Sequence, residues 1–227
     1  MIAPSTARPV SPSAAPLVRQ APVALHCRAV AKSYRAGVPG CAARVRVLER
    51  VDLSIALGEV VVVVGAPASG KTTLARVAAG VAAPSAGAVE WFGRPTPIGI
   101  AYLRGGGPFM RAASEVVPLG AQMLVIDCAS APGVLSTDSA LLSALARDGV
   151  SVLSLVRQLG GLARCAHAVW WLRGGSLHRA PAGASLTAAS CRDAGTTNSR
   201  DRASGPARSR RAIVMRRPIS GGSARLP

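Results

Sequence analysis

The sequence predicts an α/β fold: a mostly parallel sheet flanked by helices, with an antiparallel β portion towards the N-terminal side and irregular ends. Three observations predict it. Short apolar, β-branched runs alternate with helical patterns between Glu59 and Leu172, the arrangement of a parallel sheet covered on both faces. A glycine loop at residues 65–72 stands between one such run and a helical pattern. Periodicity is missing from both ends, which sets the boundaries: a Pro/Ala-rich leader at 1–23, a folded domain at 24–179 and a basic tail at 180–227.

Prolines at 4, 9, 12, 16 and 22 oppose regular structure in the leader and oppose an amphipathic targeting helix. Leu25–Tyr34 and Val45–Leu57 read as antiparallel strands around a loop carrying Gly37, Pro39 and Gly40. Glu59–Val64 reads as a buried strand, and Thr73–Ala79 as a helix closing at Gly80. A turn at Pro84–Gly87 leads to a strand at Ala88–Phe92, and Ile98–Leu103 is a strand broken by Gly105–Pro108. Met123–Asp127 is an apolar strand ending in a carboxylate, followed by a helix at Asp138–Arg147. Val150–Val156 is a strand, Leu162–Ala166 a short helix, and Ala168–Leu172 a strand turning at Gly174-Gly175 into Ser176–His178. Alternation in the Ala168–Leu172 strand sends Trp170 and Trp171 to opposite faces, with one of them buried.

The loop Gly65-Ala66-Pro67-Ala68-Ser69-Gly70-Lys71-Thr72 fits G-x-x-x-x-G-K-[ST], with a strand before it and a helix after it. Glycines at both ends let successive backbone N–H groups point inward at phosphate oxygens. The helix beginning through Thr72 and Thr73 adds its unpaired N–H groups and the positive end of its dipole. Lys71 supplies a mobile charge for the outer phosphates, and the Thr72 hydroxyl is a hard ligand for Mg²⁺. Asp127, an acid closing an apolar strand, is the second metal-ligand candidate.

The formal charge is +17, and 25 of the 27 basic residues are arginine. From Arg179 to Pro227 there are ten arginines and two acids but no aromatic residue to stack on bases. Five cysteines, odd in number and never spaced C-x-x-C, argue against a disulfide framework or a zinc site and fit a reducing compartment. His26, His167 and His178 show no metal-ligand spacing. No apolar run approaches the roughly 20 residues that span a bilayer.

Several blocks resemble, in order, the ATP-binding subunits of ABC transporters. Val47-Leu48 through Leu57-Gly58-Glu59 is similar to that family's approach to the phosphate loop. Ala79-Gly80, Pro84, Gly87 and Trp91-Phe92-Gly93 are similar to the segment that follows the loop. Leu124-Val125-Ile126-Asp127 resembles the Walker B strand, and Cys165-Ala166-His167 to Gly175 resembles the end of the cassette. The resemblance covers about residues 25–180. It implies a P-loop NTPase fold, ATP and Mg²⁺ as ligands, and Gly65–Thr72 as Walker A with Thr73 beside it. It further implies Tyr34 stacked on adenine and Thr72 with Asp127 around the metal. As partner it implies a membrane permease or a second nucleotide-binding subunit, and as location the cytoplasm, at the inner face of a membrane.

Where the chain departs from that family, residues of hydrolysis are involved. Arg104 stands in place of the family's glutamine, Cys128 in place of the general-base glutamate after Asp127, and Arg157 in place of the switch histidine. A thiol does not polarise water as a carboxylate does. Only 56 positions separate Lys71 from Asp127. That leaves no room for the helical subdomain with its LSGGQ signature, and Arg111–Val117 contains no such motif. The expectation is therefore an ATP-binding protein whose hydrolysis is weak or depends on a partner. Three alternatives stand beside it: a nucleotide-dependent regulatory module without turnover, a nucleic-acid-binding protein using the arginine tail, and a decayed reading frame.

Overall fold

The computed structural model describes residues 22–37, 43–104, 117, 119–128 and 136–180, and a strand at 213–215; for residues 136–138 and 213–215 only the backbone is described. In chain order the elements are β1 (Val23–Ala36), β2 (Ala43–Ala56), β3 (Val60–Gly65), α1 (Lys71–Ala78), β4 (Ala86–Trp91), β5 (Ile100–Arg104) and β6 (Met123–Asp127). They continue with α2 (Ser136–Arg147), β7 (Ser151–Val156), a 3-10 turn (Gly160–Arg164), β8 (Ala168–Arg173), β9 (Ser176–Arg179) and β10 (Ile213–Met215). One sheet has the order β2-β1-β4 and the other β10-β5-β6-β7-β3-β8-β9. In the larger sheet β5, β6, β7, β3 and β8 run parallel, and the edge strands β10 and β9 are antiparallel to them. The α/β class, the parallel core and the N-terminal antiparallel sheet are as the sequence predicts.

The five valines of β3 explain why it lies at the centre. Val61 and Val63 face a cluster with α1 (Leu74, Val77, Ala78) and the three-stranded sheet (Leu25, Leu53, Ile55, Val89). Val60, Val62 and Val64 face the opposite cluster with α2 (Leu142, Leu145) and Leu162 of the 3-10 turn. A strand with period-two side chains needs apolar residues at every position when both faces are covered. Each fully buried valine contributes roughly 1.5–3 kcal/mol. Trp91 ties β4 to α1: its indole N–H donates to the Ala78 carbonyl at 2.6 Å, satisfying an acceptor that the helix end leaves open.

Some local expectations are corrected. Leu162–Ala166 is not an α-helix; a 3-10 turn occupies Gly160–Arg164, because Gly160-Gly161 disfavours longer helical propagation. The strand predicted to begin at Ala88 begins at Ala86, drawn into pairing with Ala31 of β1. Neither Trp170 nor Trp171 is fully buried, although they pack on opposite clusters, because β8 lies one strand in from the sheet edge. The arginine tail contributes strand β10, which pairs with Ile100–Tyr102. The leader to residue 21, residues 105–116 and most of the tail lie outside the described residues.

Cys27 is buried in the first cluster, and its thiol is pushed from 9.0 up to about 12, first by burial and second by the charge of Asp52. A folded-state value above the unfolded one favours the protonated fold, so this contribution is complete below pH 9 and is lost as pH rises towards 12. Denaturant titrations at pH 8, 9.5 and 11 are expected to show that loss, bounded at roughly 4 kcal/mol. Cys27→Ala should flatten the alkaline slope. An unchanged slope in that variant would assign the loss to other groups.

Candidate functional site

Parallel pairing sets the ends of β5, β6, β7, β3 and β8 along one edge of the sheet, in the registers Arg104↔Asp127, Asp127↔Leu155, Val64↔Val156 and Gly65↔Leu172. Loops leaving the carboxyl ends of such strands form the crevice in which ligands of open α/β sheets bind. The predicted phosphate loop leaves β3 at that edge.

The loop is built as its sequence requires. A Cβ on Gly65 would lie 2.6 Å from Ser69 Oγ and 2.8 Å from the Leu172 carbonyl oxygen. The loop therefore closes on itself and on β8 only with hydrogen at that position. Gly70 adopts the left-handed conformation, φ 100°, and caps the N-terminus of α1 without a side-chain hydrogen bond. Lys71 is 3% exposed. Its ammonium donates to the carbonyls of Gly65 at 2.8 Å and Ala66 at 2.6 Å, and to Ser69 Oγ at 3.4 Å. Thr72 and Thr73 are half-buried in the first turn of α1.

Asp127 is 3% exposed at the end of β6, and α1 lies against that strand. The Tyr102 hydroxyl donates to Asp127 Oδ2 at 3.2 Å. Burial first, and the Asp127 charge second, push the Tyr102 phenol up to about 12, against the lowering influence of Arg104. Sequence reasoning missed Tyr102; its signal was a polar hydroxyl within an otherwise apolar strand. Thr72 and Asp127 are hard oxygen donors of the kind Mg²⁺ takes, and a site with few protein ligands suits an ion that keeps its water. No cluster of three or more His, Cys, Asp or Glu side chains occurs among the described residues. The residues present thus fit a triphosphate with Mg²⁺.

The three substituted positions fall on the same edge. Arg104 and Arg157 are exposed. Cys128 is 3% exposed, and its side chain joins the apolar cluster under α2. His167 serves the fold: its Nδ1 accepts the Val60 N–H at 2.9 Å, and its own N–H donates to the Val60 carbonyl at 2.8 Å.

A cleft of about 530 Å³ lies beside the loop. Val45–Val47 of β2 form one wall, Val64–Ser69 the floor, and Trp171–Gly175 the other wall. Tyr34 is not on its lining; it is the cross-strand partner of Val45, with Lys32 Nζ 5.3 Å from its ring centre. The walls are joined where Glu49 N–H donates to the Gly175 carbonyl at 2.9 Å. Gly175 has φ 83°, and a Cβ there would lie 2.8 Å from the Val47 carbonyl oxygen. Gly175→Ala is accordingly expected to cost about 1–3 kcal/mol, read as a lowered Tm; an unchanged Tm would show that the two walls separate freely.

Residues 48–115 match the family model described as ABC transporter. The hemin import ATP-binding protein HmuV of Nocardia farcinica is 40% identical over a segment covering 33% of this chain and 30% of that protein. The cytochrome c biogenesis ATP-binding export protein CcmA of Cupriavidus necator is 43% identical over 23% of each chain. These matches thus span less than a third of either curated relative. Among solved structures, the ADP conformation of MJ1267, an ATP-binding cassette of an ABC transporter, superposes with a TM-score of 0.53 at 14% identity, covering 69% of this chain and 89% of that one. The dimeric post-hydrolysis cassette MJ0796 bound to ADP and Pi gives 0.53 at 16% identity, covering 68% and 97%. At such identities the likeness is one of fold.

Proposed function

We propose that the chain is an ATP-binding cassette of the ABC transporter type, a reading supported by the sequence around its phosphate loop and by its fold, and that it binds Mg-ATP through Gly65–Thr72. The observation that carries this is the pre-formed loop, closed on Gly65, with a buried lysine folded into it and a buried carboxylate on a neighbouring strand. Backbone N–H groups of the loop and of Thr72 and Thr73 would take the phosphate oxygens. The Lys71 ammonium would exchange the Gly65 and Ala66 carbonyls for phosphate. Thr72 and Asp127 would hold Mg²⁺, which supplies charge neutralisation to the phosphates, while Tyr102 fixes the orientation of the Asp127 carboxyl. Tyr34, beside the cleft, would cover the base.

Hydrolysis by the chain alone is slow on this reading. Cys128 has its side chain in the apolar cluster and cannot serve as a general base, and Arg157 presents an exposed guanidinium, a donor with no acceptor, where a proton relay needs an imidazole. Turnover then depends on groups from a partner: a membrane permease or a second nucleotide-binding subunit. No described helix is long and apolar enough to cross a membrane, and the working location is peripheral, at the cytoplasmic face. The position of Cys128 also favours a second reading, a regulatory module that binds nucleotide without turnover. Equilibrium binding of ATP together with phosphate release by the full chain tests both. Absence of ATP binding by the folded chain refutes the proposal; binding without release, even with a permease present, selects the second reading.

A further inference from the structure

A second hollow, about 320 Å³ in volume, opens at the end of β3 opposite the phosphate loop. Its walls come from the β2–β3 turn at Gly58, the last turn of α2 and the end of the 3-10 turn. These walls are fixed in place. Gly58 has φ 67°, and a Cβ there would lie 2.8 Å from the Ala146 carbonyl oxygen, so the turn meets α2 through hydrogen alone. Leu142 and Leu145 of α2 share a buried cluster with Leu162 of the 3-10 turn. Arg147, Arg164 and His167 line the hollow. Arg147 Nε donates to the Ser143 carbonyl at 3.3 Å, which leaves the two terminal amino groups of its guanidinium for a ligand. Arg164 has no carboxylate partner among the described residues. His167 Nδ1 accepts the Val60 N–H, so the proton of the neutral ring sits on Nε2, a donor turned from β3. Nothing in the lining opposes negative charge. It includes no aspartate or glutamate, and burial raises the Cys165 thiol above its ordinary value and so keeps it uncharged near neutral pH. The carbonyls of Ala144, Leu145 and Ala146 at the end of α2 are taken by the N–H groups of Asp148, Val150 and Gly149.

We propose that Arg147, Arg164 and His167 form an oxyanion site for a phosphate group, separate from the phosphate loop and independent of its reading as a nucleotide site. Two guanidiniums match the charge of a phosphate dianion and offer its oxygens paired N–H donors. The imidazole N–H adds a donor from a third position. A carboxylate, with one charge and two oxygens in a plane, satisfies fewer of these groups. All three side chains are exposed at the rim, so the hollow admits free phosphate or the phosphoryl end of a small phosphomonoester.

Titration of the isotope-labelled full chain with inorganic phosphate, followed by NMR at fixed salt and pH, tests this. Saturable shifts are expected at the His167 ring and the Arg164 side chain, and they should persist in Lys71→Ala, which removes the loop's own charge. In Arg147→Ala/Arg164→Ala the phosphate affinity read at His167 should fall about 10- to 100-fold, the loss of two charge-assisted contacts. Acetate should bind the native chain about tenfold more weakly than phosphate. Arg44→Ala/Arg94→Ala, two exposed arginines outside the hollow, is the charge-matched control and should keep phosphate affinity within about twofold. Circular dichroism checks that the variants fold. Methyl phosphate separates the two sources: affinity equal to that of phosphate marks a phosphoryl end, and affinity about tenfold lower marks the free ion. Absence of a saturable shift at His167, undiminished affinity in Arg147→Ala/Arg164→Ala, or an equal fall in the control overturns the site.

Discussion

Lys71→Ala is expected to weaken ATP binding by about 30- to 150-fold, the worth of a charged phosphate contact of about 2–3 kcal/mol. The fold should survive it. The buried ammonium holds two loop carbonyls and a serine hydroxyl, and its removal also relieves the cost of keeping a charge out of water. Titration calorimetry gives the affinity and circular dichroism the fold. A variant that folds and binds ATP as the native chain does would exclude Lys71 from the site. Gly65→Ala makes the complementary case, because there the missing space, with 2.6 Å to Ser69 Oγ, deforms the cradle and not its charge.

Asp127→Asn carries the second large effect. The amide keeps size and an acceptor for the Tyr102 hydroxyl, so the strand end stays in place while its charge is removed. Native ATP affinity should fall about tenfold or more when Mg²⁺ is chelated, since the carboxylate then faces the triphosphate uncompensated. In the variant that dependence should shrink to about twofold or less, and metal-free affinity should rise above that of the native chain. Retention of the full Mg²⁺ dependence by Asp127→Asn would place the metal elsewhere.

How much of this was legible depends on the range of the interactions involved. The loop was readable because its signal is local: two glycines, a lysine and a threonine in one stretch, flanked by a valine run and a helix. β3 was readable because burial on both faces leaves no polar position in it. Strand order was not readable, so the contribution of Trp171 and Arg173 to the cleft could not be seen before β8 was found beside β3. Alternation gave the opposite faces of Trp170 and Trp171 but not their neighbours. Tyr102 was hidden in an apolar strand until β6 brought Asp127 to its hydroxyl. β10 was unreadable because three apolar residues in an arginine-rich segment form a strand only when an open sheet edge offers partners.

The two sheets alternate along the chain. β1 and β2 build the smaller, β3 begins the larger, β4 returns to the smaller, and everything from β5 onward belongs to the larger. Neither sheet is therefore a contiguous piece of polypeptide, and no single cut yields both as separate folding units. The cleft inherits this property: its β2 wall and its β8 wall belong to different sheets and are separated by more than a hundred residues of sequence. They are brought together only when the chain has crossed between layers three times. A ligand held there reads the completion of the whole fold, and a fragment that keeps the loop but loses either wall keeps the motif without the site.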